Sequence, residues 1–421
     1  MAFGYHLGVV NGPLEAIAMD LGIGGDAALS GVVVSSTLAG AAAGSLSGGS
    51  VSDSLGRRKG LLLACAPMLL GPLLSAYSGS FSTMVVGRFM TGIAIGLSSA
   101  LVPTYISEIA PTAIRGALGT LNQLMICVGI LTALGVNVVL PAESWRTMFL
   151  IGAVPAAALA LGMLACPESP RWLQSKGMKD EADKAATQLW GSAAGSEMSS
   201  GSSGGSGGPA AEVSVGELFG QKSFKIGILL FAFQQLAGIN ALVFFSTSVF
   251  RTAGVTSDTL ASLAVGATNV LGTVIAASII EKAGRTSLLS LSYLGQGLSM
   301  FAMALGFTLP VLQPYSAPIA VGGTLLYVLS FALGAGPVTG LLIPELNPAT
   351  TRGRAVAAAF VSHWACNVIV GQTFMIGVQA YGLPAVYAFF GAVAMGAVLY
   401  VKTQVPETRG KSFEQIQKEL A

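Results

Sequence analysis

Five amide side chains, Gln123, Gln234, Gln235, Asn240 and Asn269, stand inside stretches otherwise built of Leu, Val, Ala, Ile, Phe and Gly. A primary amide both donates and accepts hydrogen bonds. In an apolar surrounding it is costly unless it pairs with a neighbouring helix or faces a water-filled cavity. Such side chains suit a neutral ligand rich in hydroxyls better than fixed charges do. On a helix, Gln234 and Gln235 are offset by about 100°, and Asn240, five residues on, falls on a neighbouring face. The three can therefore partly encircle a ligand. Any one amide reads equally well as glue between helices. The string Gln234-Gln235-Leu236-Ala237-Gly238-Ile239-Asn240, taken together, reads better as a binding motif. No nucleophile–base pair, metal-ligand cluster or phosphate-cradling loop stands out, so an enzyme is disfavoured and neither a cofactor nor a metal is expected.

The elements that carry these amides are set by composition. Of 421 residues, 53% are hydrophobic and only 10% charged, against roughly a quarter charged in a soluble domain. Too few charges are present to cover a soluble body of this size, and apolar stretches of about 20 residues, enough to cross a hydrocarbon core, recur along the chain. Twelve spans are expected, near 1–21, 29–51, 60–79, 82–104, 116–140, 145–166, 223–250, 259–280, 286–309, 316–343, 351–376 and 381–402. An even number places both termini on one side. Of the 21 Lys and Arg, all but Arg88, Arg146 and Arg251 then fall on that side, as the positive-inside rule demands. The net charge of +2 gives no reason to expect a nucleic-acid partner. Cys65, Cys127, Cys166 and Cys366 are irregularly spaced in or beside apolar stretches and read as small packing residues. Met1 abuts the first apolar stretch, so no cleavable signal or transit segment is expected within this sequence.

The chain echoes itself. Asp53-Ser-Leu-Gly56-Arg57 after the second span is answered by Glu281-Lys-Ala-Gly284-Arg285 after the eighth. Glu108 precedes Arg115-Gly116 by seven residues, and Glu345 precedes Arg352-Gly353 by seven; Pro167-Glu168-Ser169 closes the sixth span and Pro406-Glu407-Thr408 the twelfth. Each pair is offset by roughly 230–240 residues, which predicts a parallel repeat of six-helix halves. The expected organisation is an all-α membrane protein of twelve transmembrane helices in two pseudo-symmetric six-helix bundles around a central cavity: 1–166, a charged helical linker at 167–222 with a Gly/Ser run at 201–208, 223–402, and a tail at 403–421. An acid at a helix C-terminus opposes the dipole, so Asp53 and Glu281 need cationic partners, for which Arg57 and Arg285 are the nearest candidates. With Glu108, Arg115, Glu168, Arg171, Glu345, Arg352 and Glu407 they form a belt that can latch the two halves and must open as the cavity turns to that side. The alternative is that these charges only fix topology.

These motifs resemble the sugar porter family of the major facilitator superfamily over essentially the whole chain. The likeness rests on Gly56-Arg57-Arg58, Gly87-Arg88-Phe89, Pro103-Thr-Tyr-Ile-Ser-Glu108, Pro167-Glu-Ser-Pro-Arg171-Trp172-Leu173, the Gln234–Asn240 string and Pro406-Glu-Thr-Arg409-Gly410. Within the family, Phe3–Gly12, Thr247–Arg251 and Tyr327–Pro337 look like the plastidic glucose transporters of plants and algae. The resemblance implies a hexose carrier, glucose first, working by alternating access in the inner envelope of a plastid, with the plasma membrane as the alternative, and acting as a monomer. It implies that Gln123, Gln234, Gln235, Asn240 and Asn269 bind sugar hydroxyls, and adds Trp364 and Asn367 as lining residues. Inositol or pentose as substrate remains open.

Some positions depart from the best-known glucose carriers: Phe244-Phe245 replaces a Tyr pair, Ala332 and Gly340 stand for a Glu and a Trp, and His363 for an Asn. Gly334, Gly336 and Pro337 interrupt the tenth span and invite a bend there. Proton-coupled members carry an Asp in the first span and passive ones an Asn; here the residue is His6. Histidine titrates near neutrality and can shuttle a proton, or it can sit neutral and hydrogen-bonded. Without the carboxylate, facilitated diffusion is favoured over proton symport, with Glu15 a weaker candidate proton carrier. A non-transporting sugar sensor of the same fold is the remaining reading.

Overall fold

The computed structural model describes residues 1–110, 115–191, 215–280, 282–348, 351–411 and 413–420. The Gly/Ser run at 201–208 and Glu281 lie outside them, as do the side chains of Arg115 and Arg352. Among the described residues every regular element is helical. The first apolar stretch forms two short helices, α1 (Ala2–Gly8) and α2 (Leu14–Asp20), separated by a turn ending at Pro13. Then come α3 (Ala27–Leu55), α4 (Arg57–Ala76), α5 (Phe81–Ile109), α6 (Arg115–Val139) and α7 (Trp145–Ala165). Two polar helices follow, α8 (Pro170–Ser175) and α9 (Lys179–Trp190), and after the undescribed segment a short α10 (Val215–Gly220).

The remaining helices are α11 (Lys222–Leu236), α12 (Ile239–Thr252), α13 (Asp258–Ile279), α14 (Arg285–Thr308), α15 (Ser316–Leu333), α16 (Ala335–Leu346), α17 (Arg352–Tyr381), α18 (Leu383–Gln404) and the tail helix α19 (Phe413–Leu420). Among the described residues, eleven stretches are long and apolar enough to cross a membrane, counting α11–α12 and α15–α16 as one each. The chain is a multi-pass helical membrane protein. Large apolar side chains such as Val154, Leu161, Leu271, Leu291 and Leu399 are exposed on it, which is what a lipid-facing surface requires.

Local chemistry sets the ends and breaks. Asp26 accepts from the Leu29 amide at 2.9 Å to start α3, and Ser80 from the Thr83 amide to start α5, each satisfying an orphan donor. Gly238, at φ +98°, splits α11 from α12 in a left-handed conformation that a residue with a Cβ resists. Gly334 breaks the span formed by α15 and α16, one of the glycines expected to weaken it.

Packing in lipid depends on close approach of small residues. On α3, a Cβ at Gly40 or Gly44 would strike the backbone of Phe89 or Ile93 in α5; on α5, Gly92 and Gly96 stand likewise against Thr37 and Ala41. Spaced by four, these glycines let the two backbones touch. In a first group α3, α4, α5 and α7 pack together with α1 against α6; in a second, α14 packs on α15 and α18, and α11 on α17. Between the groups α3 runs along α17 and α6 along α13.

Candidate functional site

The motif amides of α11 and α12 form one cluster. Gln234 donates through Nε2 to the Ala335 carbonyl at 2.6 Å, at the break between α15 and α16. Gln235 donates to Gln234 Oε1 at 3.0 Å and meets His363 Nδ1 at 2.9 Å, and Asn240 donates to Gln235 Oε1. The left-handed turn at Gly238 folds Asn240 back beside Gln235, five residues earlier. Phe390 packs so closely over Gly238 that its ring would meet a Cβ there at 2.6 Å. Gln234 and Gln235 are buried and Asn240 half-buried.

A second polar cluster lies where α6 meets α13. Half-buried Gln123 points Nε2 at Cys127 Sγ, 3.8 Å away; Cys127 lies 3.5 Å from Thr273 Oγ1, and Thr273 donates to the Asn269 carbonyl. Among the described residues no hydrogen bond joins this cluster to the first. Trp364 and Asn367, one turn apart on α17, are both buried, and Trp364 Nε1 and Asn367 Oδ1 have no partner. Trp364 touches both groups of helices, with its ring 6.2 Å from Phe3 and 4.9 Å from His363. An indole N–H and an amide oxygen left unpaired inside a packed protein are costly. At the departures, Phe245 stacks on Phe374 at 4.9 Å, Ala332 packs where a Cβ on Gly272 would strike it, and Gly340 has open space where a side chain would go.

His6 does not join either cluster. Its ring is buried beside Gly152 and edge-on to Tyr5, and its Nε2 has no partner. The His6 carbonyl accepts from Arg88 Nη1 at 3.2 Å, while Arg88 Nε reaches the Val33 carbonyl and its guanidinium lies over Phe149. Among the described residues no carboxylate pairs with this buried arginine.

The charge belt is built twice, with the same parts. Arg57 makes a two-pronged pair with Glu108 at 2.8 and 2.9 Å, and Arg285 meets Glu345 at 3.4 Å. Asp53, largely exposed, is reached by Arg57 only at 3.5 Å, so the main partner of Arg57 is Glu108 rather than its sequence neighbour. Glu168 accepts from the Arg57 and Arg58 amides, and Glu407 from the Arg285 and Thr286 amides at 2.8 and 3.1 Å. Each carboxylate thus caps the positive end of a helix. That explains the glycine in both Gly-Arg motifs: a Cβ on Gly56 or Gly284 would collide with Glu168 or Glu407. Arg171 is exposed and forms no described ion pair, while its neighbour Trp172 donates to the Asp53 carbonyl at 3.1 Å. Among the described residues, every ion pair of the belt stays within one group of helices.

Further polar contacts between the groups lie at the helix ends away from the belt, and the amides read from the sequence do not include them. Asn11, in the turn between α1 and α2, donates to the Val243 carbonyl at 2.7 Å and to Ser246 Oγ at 2.8 Å and accepts from the Thr247 amide at 3.0 Å. Glu15 pairs with Arg251, and Gln372 bonds Ser35 and the Ala28 carbonyl. Asn11 was legible only as part of a family string; its partners lie more than 230 positions away.

Buried neutral polar clusters, a doubled charge belt and cross-group contacts at the helix ends away from that belt are features that a membrane carrier for a neutral polar solute needs. The chain belongs to the sugar transporter family: the model described as "Sugar (and other) transporter" matches residues 1–420. It is 49% identical to plastidic glucose transporter 4 of Arabidopsis thaliana over 99% of this chain and 77% of that one. It is 34% identical to the glucose transporter GlcP of Staphylococcus epidermidis over 100% and 94%. The inward open structure of the xylose transporter XylE from E. coli superposes with a TM-score of 0.84 at 28% identity, covering 100% of this chain and 97% of that one. The structure of the same proton:xylose symporter bound to 6-bromo-6-deoxy-D-glucose gives 0.79 at 28%, over 100% and 96%. The major facilitator fold and a non-enzymatic transport role follow.

Proposed function

We propose that the chain carries a hexose, glucose first, by facilitated diffusion and alternating access. The observation that carries this is the pair of orphaned polar atoms, Trp364 Nε1 and Asn367 Oδ1, beside the interlinked amides of Gln234, Gln235 and Asn240. In this reading Asn269 and Gln123, at the interface of α6 and α13, complete a sugar site between the halves. The relatives that are named glucose transporters support the substrate, and those named plastidic support a plastid envelope location, the inner membrane in this reading. The broken segment α1–α2 is taken as the first of twelve spans, so that 1–166 and 223–402 are the two halves, joined by 167–222 and followed by the tail at 403–421. The chain acts as a monomer.

Passive transport is favoured by one local fact: Arg88 is solvated by two backbone carbonyls and an aromatic face, not by a carboxylate whose protonation would release it. Glu15 is already paired with Arg251. The conformation is closed on the side away from the charge belt, where Asn11, Glu15 and Gln372 bridge the groups. The belt acts in the opposite state, when the two halves meet on the side of the termini. The purified chain in liposomes, offered labelled hexoses, pentoses and inositol, tests the reading. Saturable uptake of D-glucose that unlabelled D-glucose competes away is expected, and uptake of none of the hexoses would sink it.

A further inference from the structure

The break at Gly334 disturbs two backbone groups that a continuous helix would pair. The Gly334 amide turns to the Phe331 carbonyl at 3.3 Å, three residues back instead of four. That leaves the Ser330 carbonyl and the Ala335 amide out of the helical ladder, each needing a partner. One side chain of a neighbouring helix serves both. Ser292 Oγ, on α14, donates to the Ser330 carbonyl at 2.6 Å and accepts from the Ala335 amide at 2.9 Å. It also accepts from Gln296 Nε2, one turn on, at 3.0 Å. A hydroxyl has one donor and two acceptor lone pairs, so all of its bonding capacity is used. Ser292, Gln296 and Ala335 are buried, where an unpaired backbone group is costly. Gly334 allows the close approach, since a Cβ on it would meet Ser292 Cβ at 2.6 Å.

Ala335 is held at its other polar group as well. Its carbonyl accepts from Gln234 Nε2 at 2.6 Å and from Thr339 Oγ1 at 2.7 Å. A carbonyl can only accept, so Gln234 must turn Nε2 toward it and Oε1 toward Gln235, which donates to that oxygen at 3.0 Å. The Gln235 oxygen is then left to accept from Asn240. The orientation of the whole amide cluster is therefore referred to one carbonyl, and the amide of the same residue is fixed by Ser292. We propose that Ser292 is a positioning residue for the sugar site: by stapling the break between α15 and α16 it holds the Ala335 carbonyl where that group orients Gln234, and through it Gln235 and Asn240. Ser292 acts through Gln234 rather than on the ligand, and its role rests on the sugar-carrier reading.

Uptake of labelled D-glucose into liposomes and backbone hydrogen exchange of the full detergent-solubilised chain test the two links separately. Ser292→Ala should raise KM about fivefold at nearly unchanged Vmax and speed exchange of the Ala335 amide roughly tenfold. Beside Gln234→Ala it should raise KM no further, because its effect passes through that side chain. Ser292→Cys, of similar shape but with a weakly bonding thiol, should fall between wild type and Ser292→Ala, and stands in for it if Ser292→Ala folds poorly. A lower Vmax at unchanged KM, or a KM effect that persists in full beside Gln234→Ala, means that Ser292 only stabilises the helix break and overturns the proposal. Wild-type chain that takes up no hexose counts against the sugar reading instead. The staple is then judged by exchange at Ala335, faster in Ser292→Ala if it holds and unchanged if it does not.

Discussion

At Trp364 the indole ring and the indole N–H have separable roles. The ring packs between Phe3 and His363, and the N–H points at nothing in the protein. Trp364→Phe should therefore raise the KM for glucose about fivefold, the value of one neutral hydrogen bond, with little change in unfolding temperature. An unchanged KM in liposome uptake would remove Trp364 from the site. Gln235 differs, because it holds Gln234, His363 and Asn240 together. Gln235→Ala should cut kcat/KM roughly tenfold or more, measured in the same assay. The Gln234–Asn240 motif was readable in the sequence because amides are rare in apolar stretches. His363 as the partner of Gln235, and Cys127 and Thr273 as the link between α6 and α13, were not readable, because each is an ordinary residue whose role comes from a neighbour far away in the chain.

At the scale of elements, the Gly-Arg turns show how a short motif encodes a contact made by another helix. Gly56 has φ +91° and meets the Glu168 carboxylate; Gly284 has φ −66° and meets Glu407. Gly56→Ala faces both backbone strain and collision, whereas Gly284→Ala faces collision alone. Both should lower the unfolding temperature of the detergent-solubilised protein, Gly56→Ala by more, with about 1–3 kcal/mol at stake from the backbone alone. Equal effects would mean the positive φ carries no cost. The repeat of charges predicted a symmetric belt, and the pairing of Arg57 with Glu108 and Arg285 with Glu345 has that symmetry. What spacing alone missed is that Glu168 and Glu407 act on backbone amides, since a helix N-terminus leaves no mark in a list of charged residues.

For the whole molecule, span lengths and the distribution of Lys and Arg made the membrane fold legible, because the bilayer constrains composition so strongly. Where the two groups close on each other was not legible, since that closure is built from residues such as Asn11 and Gln372 that pair across the groups. Asn11→Ala removes three buried hydrogen bonds and leaves the Val243 carbonyl and Ser246 short of a donor. It should loosen the outer closure and speed backbone hydrogen exchange across 243–252 by roughly tenfold or more. Unaltered exchange there would show that α3 along α17 and α6 along α13 suffice to hold the outer side shut.

Passive movement of a neutral hexose, as proposed, requires a site that no titrating carboxylate serves. Reconstituted chain should take labelled D-glucose into liposomes until inside and outside concentrations are equal, at the same final level whether or not a pH difference is imposed, and should discriminate against L-glucose. Accumulation above the outside concentration driven by an inward proton gradient would contradict it.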